Sequence, residues 1–245
     1  MDRRAFLRQG AAFAGAAASG LLLPAWRMEA AAQSLQDFMK STREAGQGLF
    51  GSTEIPSDNL TALPQWSRVL AKAKSERRQF RACLDNQAAC STSGHKSWRE
   101  VFAAAKSKPE LEKLKTVNAY FNRWPYKIDR EIYGVSEFWA TPLEFMKRSG
   151  DCEDYAIAKF FALRDLGLAN EQLRIVILMD RIRRIGHAVL AVYALGDILI
   201  LDSLTDLIFS HKKYRHYVPQ YSMNETTRWA HLFEKNRAAF IVNNR

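Results

Sequence analysis

The chain has 245 residues, 47% of them hydrophobic and 25% charged, enough for a single domain with a real core. Its net charge of +10 invites a nucleic-acid reading, yet the basic residues are scattered over helices apart from two runs, 181–184 and 211–216. No nucleic-acid motif accompanies them, so nucleic acid is set aside as the partner.

Asp2-Arg3-Arg4-Ala5-Phe6-Leu7-Arg8 has the form of a twin-arginine export signal, followed by an apolar run from Ala11 to Leu23 and the small-residue site Ala30-Ala31-Ala32. At 13 residues the apolar run is too short to span a bilayer. Residues 1–32 are therefore expected to be removed, leaving residues 33–245 as one periplasmic domain with no transmembrane segment. The signal takes four arginines and two acids with it, which leaves a charge of +8. Export by this route requires folding before translocation.

Residues 33–63, with Gly46, Gly48, Gly51, Pro56 and Asn59, are expected to form an irregular arm. Three helical stripes follow: Trp66, Val69, Leu70, Ala73, Arg77, Phe80 and Leu84 after Pro64; Trp98, Val101, Phe102 and Ala105; Leu111, Leu114, Val117 and Phe121 after Pro109. Cys83 and Cys90 enclose a loop-like hexapeptide. They are expected to form a disulfide rather than two buried free thiols, leaving Cys152 unpaired, and the bridge requires the helix to end near Cys83, because seven helical residues span about 10.5 Å against a disulfide limit of about 7 Å. Trp124-Pro125-Tyr126 begins a long connection to Thr141-Pro142-Leu143-Glu144, a capping box that starts a short helix.

Next comes Ser149-Gly150-Asp151-Cys152-Glu153-Asp154, with a buried face at Ala156, Ile157, Phe160, Phe161 and Leu163 and a stop at Gly167. Cys152 falls in the first turn, where unpaired N–H groups and the helix dipole favour a thiolate. Strands are expected at 174–179, 187–192, 198–202 and around 207–209, so that helices first and an antiparallel sheet after make an α+β domain. A hairpin joins His187 to Asp202 through Ala194-Leu195-Gly196-Asp197. A two-residue loop at 194–195 puts the two residues opposite each other, one at 195–196 puts them diagonally on one face, and a three-residue loop separates them. The two-residue loops allow Asp202 to orient His187 as base for a Cys152 nucleophile. Three carboxylates about one thiol oppose thiolate formation, and two readings stand: Asp151, Glu153 and Asp154 hold a divalent cation, with Asp129 a further ligand, or the acids simply complement the helix dipole.

Gly150 to Lys159, His187 to Leu190 and Leu201-Asp202 resemble the bacterial transglutaminase-like cysteine proteinases of the LapG type. Further likeness runs through Leu49-Phe50-Gly51-Ser52, Val117-Asn118, Trp139-Ala140-Thr141-Pro142 and Tyr221-Ser222-Met223-Asn224. Ser203 stands where Asn is usual and Glu137 where Asp is usual. The resemblance implies a papain-like or transglutaminase-like core, a Cys152-His187-Asp202 triad and Ca2+ at the acids flanking the cysteine. It also implies cleavage of a large surface adhesin near its N-terminus, release of biofilm, and an inner-membrane cyclic-di-GMP receptor that sequesters the protease. Acyl transfer to an amine, or a silent binding module, would use the same residues. The 181–184 run, leading into the His187 strand, reads either as a solvated face or as a rim that attracts an acidic substrate or partner.

Overall fold

Pro64, with no N–H to satisfy, opens the first helix, α1 (Pro64–Asp85), and the chain then builds α2 (Ser93–Ala105) and α3 (Glu110–Asn122). This computed structural model describes residues 48–233; the expected signal at 1–32 and residues 33–47 of the expected arm lie outside the described residues. The stripe of α1 is buried at Trp66, Val69, Ala73 and Phe80, but Glu76 rather than Arg77 faces inward. Glu76 accepts from Thr141 Oγ1 at 2.7 Å, while Arg77 turns to Asp165 at 2.8 Å. Two residues beyond Cys83 the helix stops, and a short 3-10 turn at Gln87–Ala89 brings the chain back. Cys83 and Cys90 are disulfide-bonded there, with Cα atoms 4.5 Å apart.

The connection after α3 contains a one-turn helix, α4 (Asp129–Ile132), and leads to α5 (Pro142–Arg148) and α6 (Cys152–Asp165). The capping box at α5 is formed: Thr141 Oγ1 accepts from Glu144 N and Glu144 Oε2 from Thr141 N. Ten consecutive residues of α6, Asp154 to Leu163, are buried, so this helix is the axis of the core. Trp66 packs against Phe160 and Phe161 with ring centroids 5.7 and 5.9 Å away. Burying side chains of this size stabilises by about 1.5–3 kcal/mol each.

Seven strands make one antiparallel sheet: β1 (Thr53–Ser57), β2 (Leu173–Asp180), β3 (Ile185–Ala194), β4 (Asp197–Asp202), β5 (Thr205–Ser210), β6 (Tyr217–Met223) and β7 (Arg228–Leu232), in the order β1-β7-β6-β2-β3-β4-β5. The helices-then-sheet order gives the expected α+β class. Three strands were not expected. Residues 53–57, assigned to an irregular arm, pair with β7 at the sheet edge. Strand β6 carries Pro219, which discourages a strand reading, and the proline sits where the β2–β6 register shifts, a position that tolerates a missing N–H. Strand β7 has five residues and little alternation.

Ala194 pairs with Asp197, so the β3–β4 turn is Leu195-Gly196. Both residues have positive φ, 55° and 75°, the geometry of a type I′ hairpin, which glycine adopts without strain. That selects the diagonal register. Even-numbered residues of β3 (Ala188, Leu190, Val192) join the helix-side core; Val189 and Ala191 join a smaller cluster on the other face, with Ile200, Tyr214 and Tyr217. Among the described residues no helix is long and apolar enough to cross a membrane.

Candidate active site

Cys152 begins α6 because everything before it is pinned. Ser149 has φ 69°, and Gly150 pairs with Tyr126 in a parallel bridge while its carbonyl accepts from Lys127 N at 2.9 Å. A Cβ on Gly150 would lie 2.0 Å from Asp154 Oδ2, so only glycine lets that carboxylate close over the turn. Asp154 Oδ1 accepts from Ala140 N at 2.6 Å and Oδ2 from Asp151 N at 3.3 Å, binding the helix start to the segment before α5. Cys152 is half-buried and its thiol is free.

His187 and Asp202 are buried, and the ring Nε2–H donates to Asp202 Oδ1 at 2.9 Å. This leaves Nδ1 for proton exchange. Tyr217, at the start of β6, donates its hydroxyl to Asp202 Oδ2 at 2.6 Å, and Leu204 N donates to Oδ1 at 3.0 Å. Burial alone would raise the Asp202 pKa, but the His187 and Tyr217 hydrogen bonds hold it below the ordinary carboxylate value. Cys152 meets this strand at the next residue: the Ala188 N–H reaches toward the sulfur and favours its thiolate.

The acids around the thiol act the other way. Burial pushes the Cys152 thiol well up, and the charges of Glu153 and Asp151 push it further. Cys152 Sγ donates to Glu153 Oε2 at 3.3 Å. Asp129, Asp151 and Asp154 bring one oxygen each within 4.8 Å of one another, and Asp151, Cys152 and Glu153 form a second such group. The three acids named from sequence are thus split: Asp151 and Asp154 converge with Asp129, while Glu153 stands on the sulfur side. Burial and then the neighbouring Asp151 raise Asp129 to about 7 and Asp154 well above its ordinary value; Glu153 is raised for the same two reasons. Among the described residues, Asp129 Oδ1 and Asp151 Oδ1 are buried and find no hydrogen-bond partner. A hard divalent cation fits this donor set: it would satisfy both orphaned oxygens and remove the mutual repulsion.

Four participants were not foreseen. Tyr217 lies in an aromatic and basic run with no recognisable motif. Tyr126 carries its hydroxyl near Cys152, and its pKa is raised by burial and then by the charges of Cys152 and Asp151. Lys159 is fully buried in α6 and donates to Asn122 Oδ1 at 2.7 Å. Asn122 in turn donates to the Asp202 and Thr205 carbonyls at 3.0 and 2.9 Å, tying α6 to the β4–β5 turn. Only Lys159 left a signal in the sequence, a charge within an apolar helical face.

The sequence pattern of the family described as bacterial transglutaminase-like cysteine proteinase matches residues 72–237. Among solved structures, calcium-bound LapG of Legionella pneumophila is 35% identical with a TM-score of 0.52, over 56% of this chain and 77% of that one. The EGTA-treated form of LapG from Legionella pneumophila is 29% identical with a TM-score of 0.53, over 66% of this chain and 94% of that one. A further structure of the same LapG is 28% identical with a TM-score of 0.54, over 66% and 91%. No curated protein sequence matches this chain significantly.

Proposed function

The chain belongs to the bacterial transglutaminase-like cysteine proteinases, and from that premise we propose that it is a calcium-dependent endopeptidase of the periplasm that cuts the N-terminal region of a large surface adhesin. The observation that carries the protease chemistry is the buried His187–Asp202 pair one residue from the Ala188 N–H that faces the Cys152 sulfur.

In this reading His187 Nδ1 takes the Sγ proton and the thiolate attacks the scissile carbonyl carbon. The backbone N–H of Cys152, at the unpaired start of α6, donates to the oxyanion. As the C–N bond breaks, His187 returns the proton to the departing amine and the acyl group stays on sulfur. His187 then takes a proton from water, which displaces the thiolate and releases the new carboxylate. Asp202 holds the ring in the tautomer this requires, and Tyr217 holds Asp202. Asp129, Asp151 and Asp154 would carry the calcium ion with Glu153 beside them, and the ion supplies charge neutralisation next to the thiol. The calcium-bound and EGTA-treated forms of LapG support the choice of metal. The adhesin, the release of biofilm, sequestration by an inner-membrane cyclic-di-GMP receptor and twin-arginine export rest on the family resemblance and the N-terminal pattern.

The test is to mix the purified chain with the N-terminal region of a co-resident adhesin and identify new termini by mass spectrometry, with and without a labelled amine. One cut with free carboxylate ends is expected from the wild type and none from Cys152→Ala. Cleavage by Cys152→Ala at the wild-type rate ends the thiol-protease reading; amine incorporation in place of hydrolysis makes the chain a transglutaminase.

A further inference from the structure

The two basic runs that stand apart in the sequence meet in the fold. Asp180 pairs with both Ile185 and Tyr217, and Arg181 N donates to the His216 carbonyl at 3.0 Å. The tip of the β2–β3 hairpin therefore abuts the end of the 211–216 segment. That segment leaves β5 at Ser210, opposite Leu199, and enters β6 at Tyr217, so it crosses the sheet face remote from α6. Arg181, Arg184, Lys212, Lys213 and Arg215 are all exposed, and among the described residues no ion pair engages any of them. Arg183 is spoken for: its Nε pairs with Asp180 at 3.0 Å, and Asp180 Oδ1 accepts from the backbone of Ile182 and Arg183, which fixes the hairpin tip. Asp197, near Lys212, accepts from Ile198 N and Ser210 Oγ.

This strip begins three residues from His187 and passes Tyr217, the residue that holds Asp202. At its far end Lys212 and Arg215 line an open groove of ≈ 1000 Å³ with Phe50 and Tyr193, whose wall also carries Glu110 and Asp197. Ile182 and Ile185, 73% and 48% exposed, add apolar surface at the near end. On the helix side of the thiol lie Asp129, Asp151, Asp154 and Glu153, the acids whose charge a calcium ion would neutralise.

Resting on the protease reading, we propose that the strip from Arg181–Arg184 to Lys212–Arg215 is an exosite for an acidic, extended segment of the protein substrate, outside the residues that are cut. The exposed cations attract such a segment along the sheet face remote from α6, which sets the direction in which the chain lies. The narrow strip, running into a concave groove, suits one extended chain better than the flat layer of lipid headgroups. Attraction of this kind acts over about 8–10 Å at physiological salt, so it orients and retains substrate rather than driving the chemical step.

Binding is measured first and needs no turnover. A fluorescein-labelled oligoglutamate peptide is titrated by anisotropy into full-length Cys152→Ala protein and into the same protein carrying Arg181→Glu with Arg184→Glu, or Lys212→Glu with Arg215→Glu. Each pair should weaken binding at least tenfold and flatten its salt dependence, while Lys115→Glu on α3 leaves it unchanged. Absence of binding, or equal losses from the α3 control, overturns the exosite, as does preference of the wild-type strip for anionic vesicles over the peptide. Cleavage then follows for one scissile peptide with and without an acidic extension. The extension should lower KM with kcat unchanged, and the paired reversals should erase that gain while sparing the short peptide. If neither peptide is cut while the oligoglutamate still binds the strip, the protease reading fails and the anion-binding surface survives; if both are cut with equal KM, the exosite fails and the protease survives.

Discussion

Removing one oxygen atom, in Tyr217→Phe, tests whether Asp202 works as a held anion. The Tyr217 hydroxyl donates to Asp202 Oδ2 at 2.6 Å in a site where Asp202 is fully buried, and neither group has water to replace the other. A hydrogen bond to a buried charged group contributes about 1.5–3 kcal/mol. Losing it should lower kcat/KM by about ten- to a hundredfold through a less firmly oriented His187, with KM little changed. The sign of the pH effect follows from the depressed Asp202 pKa: its contribution is present above the unfolded value and is lost as pH falls through the folded one. With one of the interactions that depress it gone, the folded pKa rises, so both the acid limb of kcat/KM and the onset of acid unfolding move to higher pH. Tyr214→Phe is the matched control, since the Tyr214 hydroxyl is buried without a partner and its ring stacks on Tyr217 at 4.9 Å. Removing that hydroxyl should cost nothing or stabilise. A pH–rate profile and a thermal melt for each variant decide the matter. Equal, small effects from the two would refute the claim that Tyr217 acts on Asp202.

Calcium added to chelator-treated protein should shift the iodoacetamide alkylation profile of Cys152 to lower pH, because it counters the acids that raise the thiol; Asp129→Asn should weaken binding by calorimetry, and an unchanged affinity would remove Asp129 from the site. Lys159 is held near 7 by burial, below its ordinary 10.5, so the folded chain binds fewer protons than the unfolded one between these values and stability should rise with pH across that window. Lys159→Met should flatten that slope in denaturant titrations, and an unaltered slope would show that the lysine is not the titrating group. Opening the eight-residue loop with Cys90→Ser should cost about 2.5 kcal/mol or less, read from urea midpoints, and a variant as stable as the wild type would show that the bridge contributes nothing.

The stretch from Thr141 to Asp202 was legible because its signals are local. Gly150 before Cys152, the capping box at Thr141 and the Leu195-Gly196 turn each specify backbone geometry within a few residues, and the register then fixes His187 relative to Asp202. What stayed hidden depends on contacts between distant segments. The edge strand β1 has no pattern of its own and is a strand only because β7 lies beside it. Tyr217 reaches Asp202 across β2 and β3, which leaves no mark in spacing, whereas Asp129, named from the sequence as a further ligand, does lie with Asp151 and Asp154. Arg77, counted as part of an apolar stripe, gives way to Glu76 because Thr141 offers that carboxylate a buried donor.

The pairing of β1 with β7 has a consequence for the order of synthesis. Thr53 to Ser57 emerge from the ribosome early, yet their partners, Arg228 to Leu232, come after every other strand. Trp66 Nε1 likewise waits for the Asn224 carbonyl, and Ser52 for His231. Contacts so far apart in sequence are slow to form. A nascent chain therefore keeps an unpaired strand at its front until residue 232 is made, and closure of the sheet reports that translation has passed that point. For a protein proposed to leave the cytoplasm already folded, this gives the export machinery a physical criterion by which a truncated product is told from a finished one.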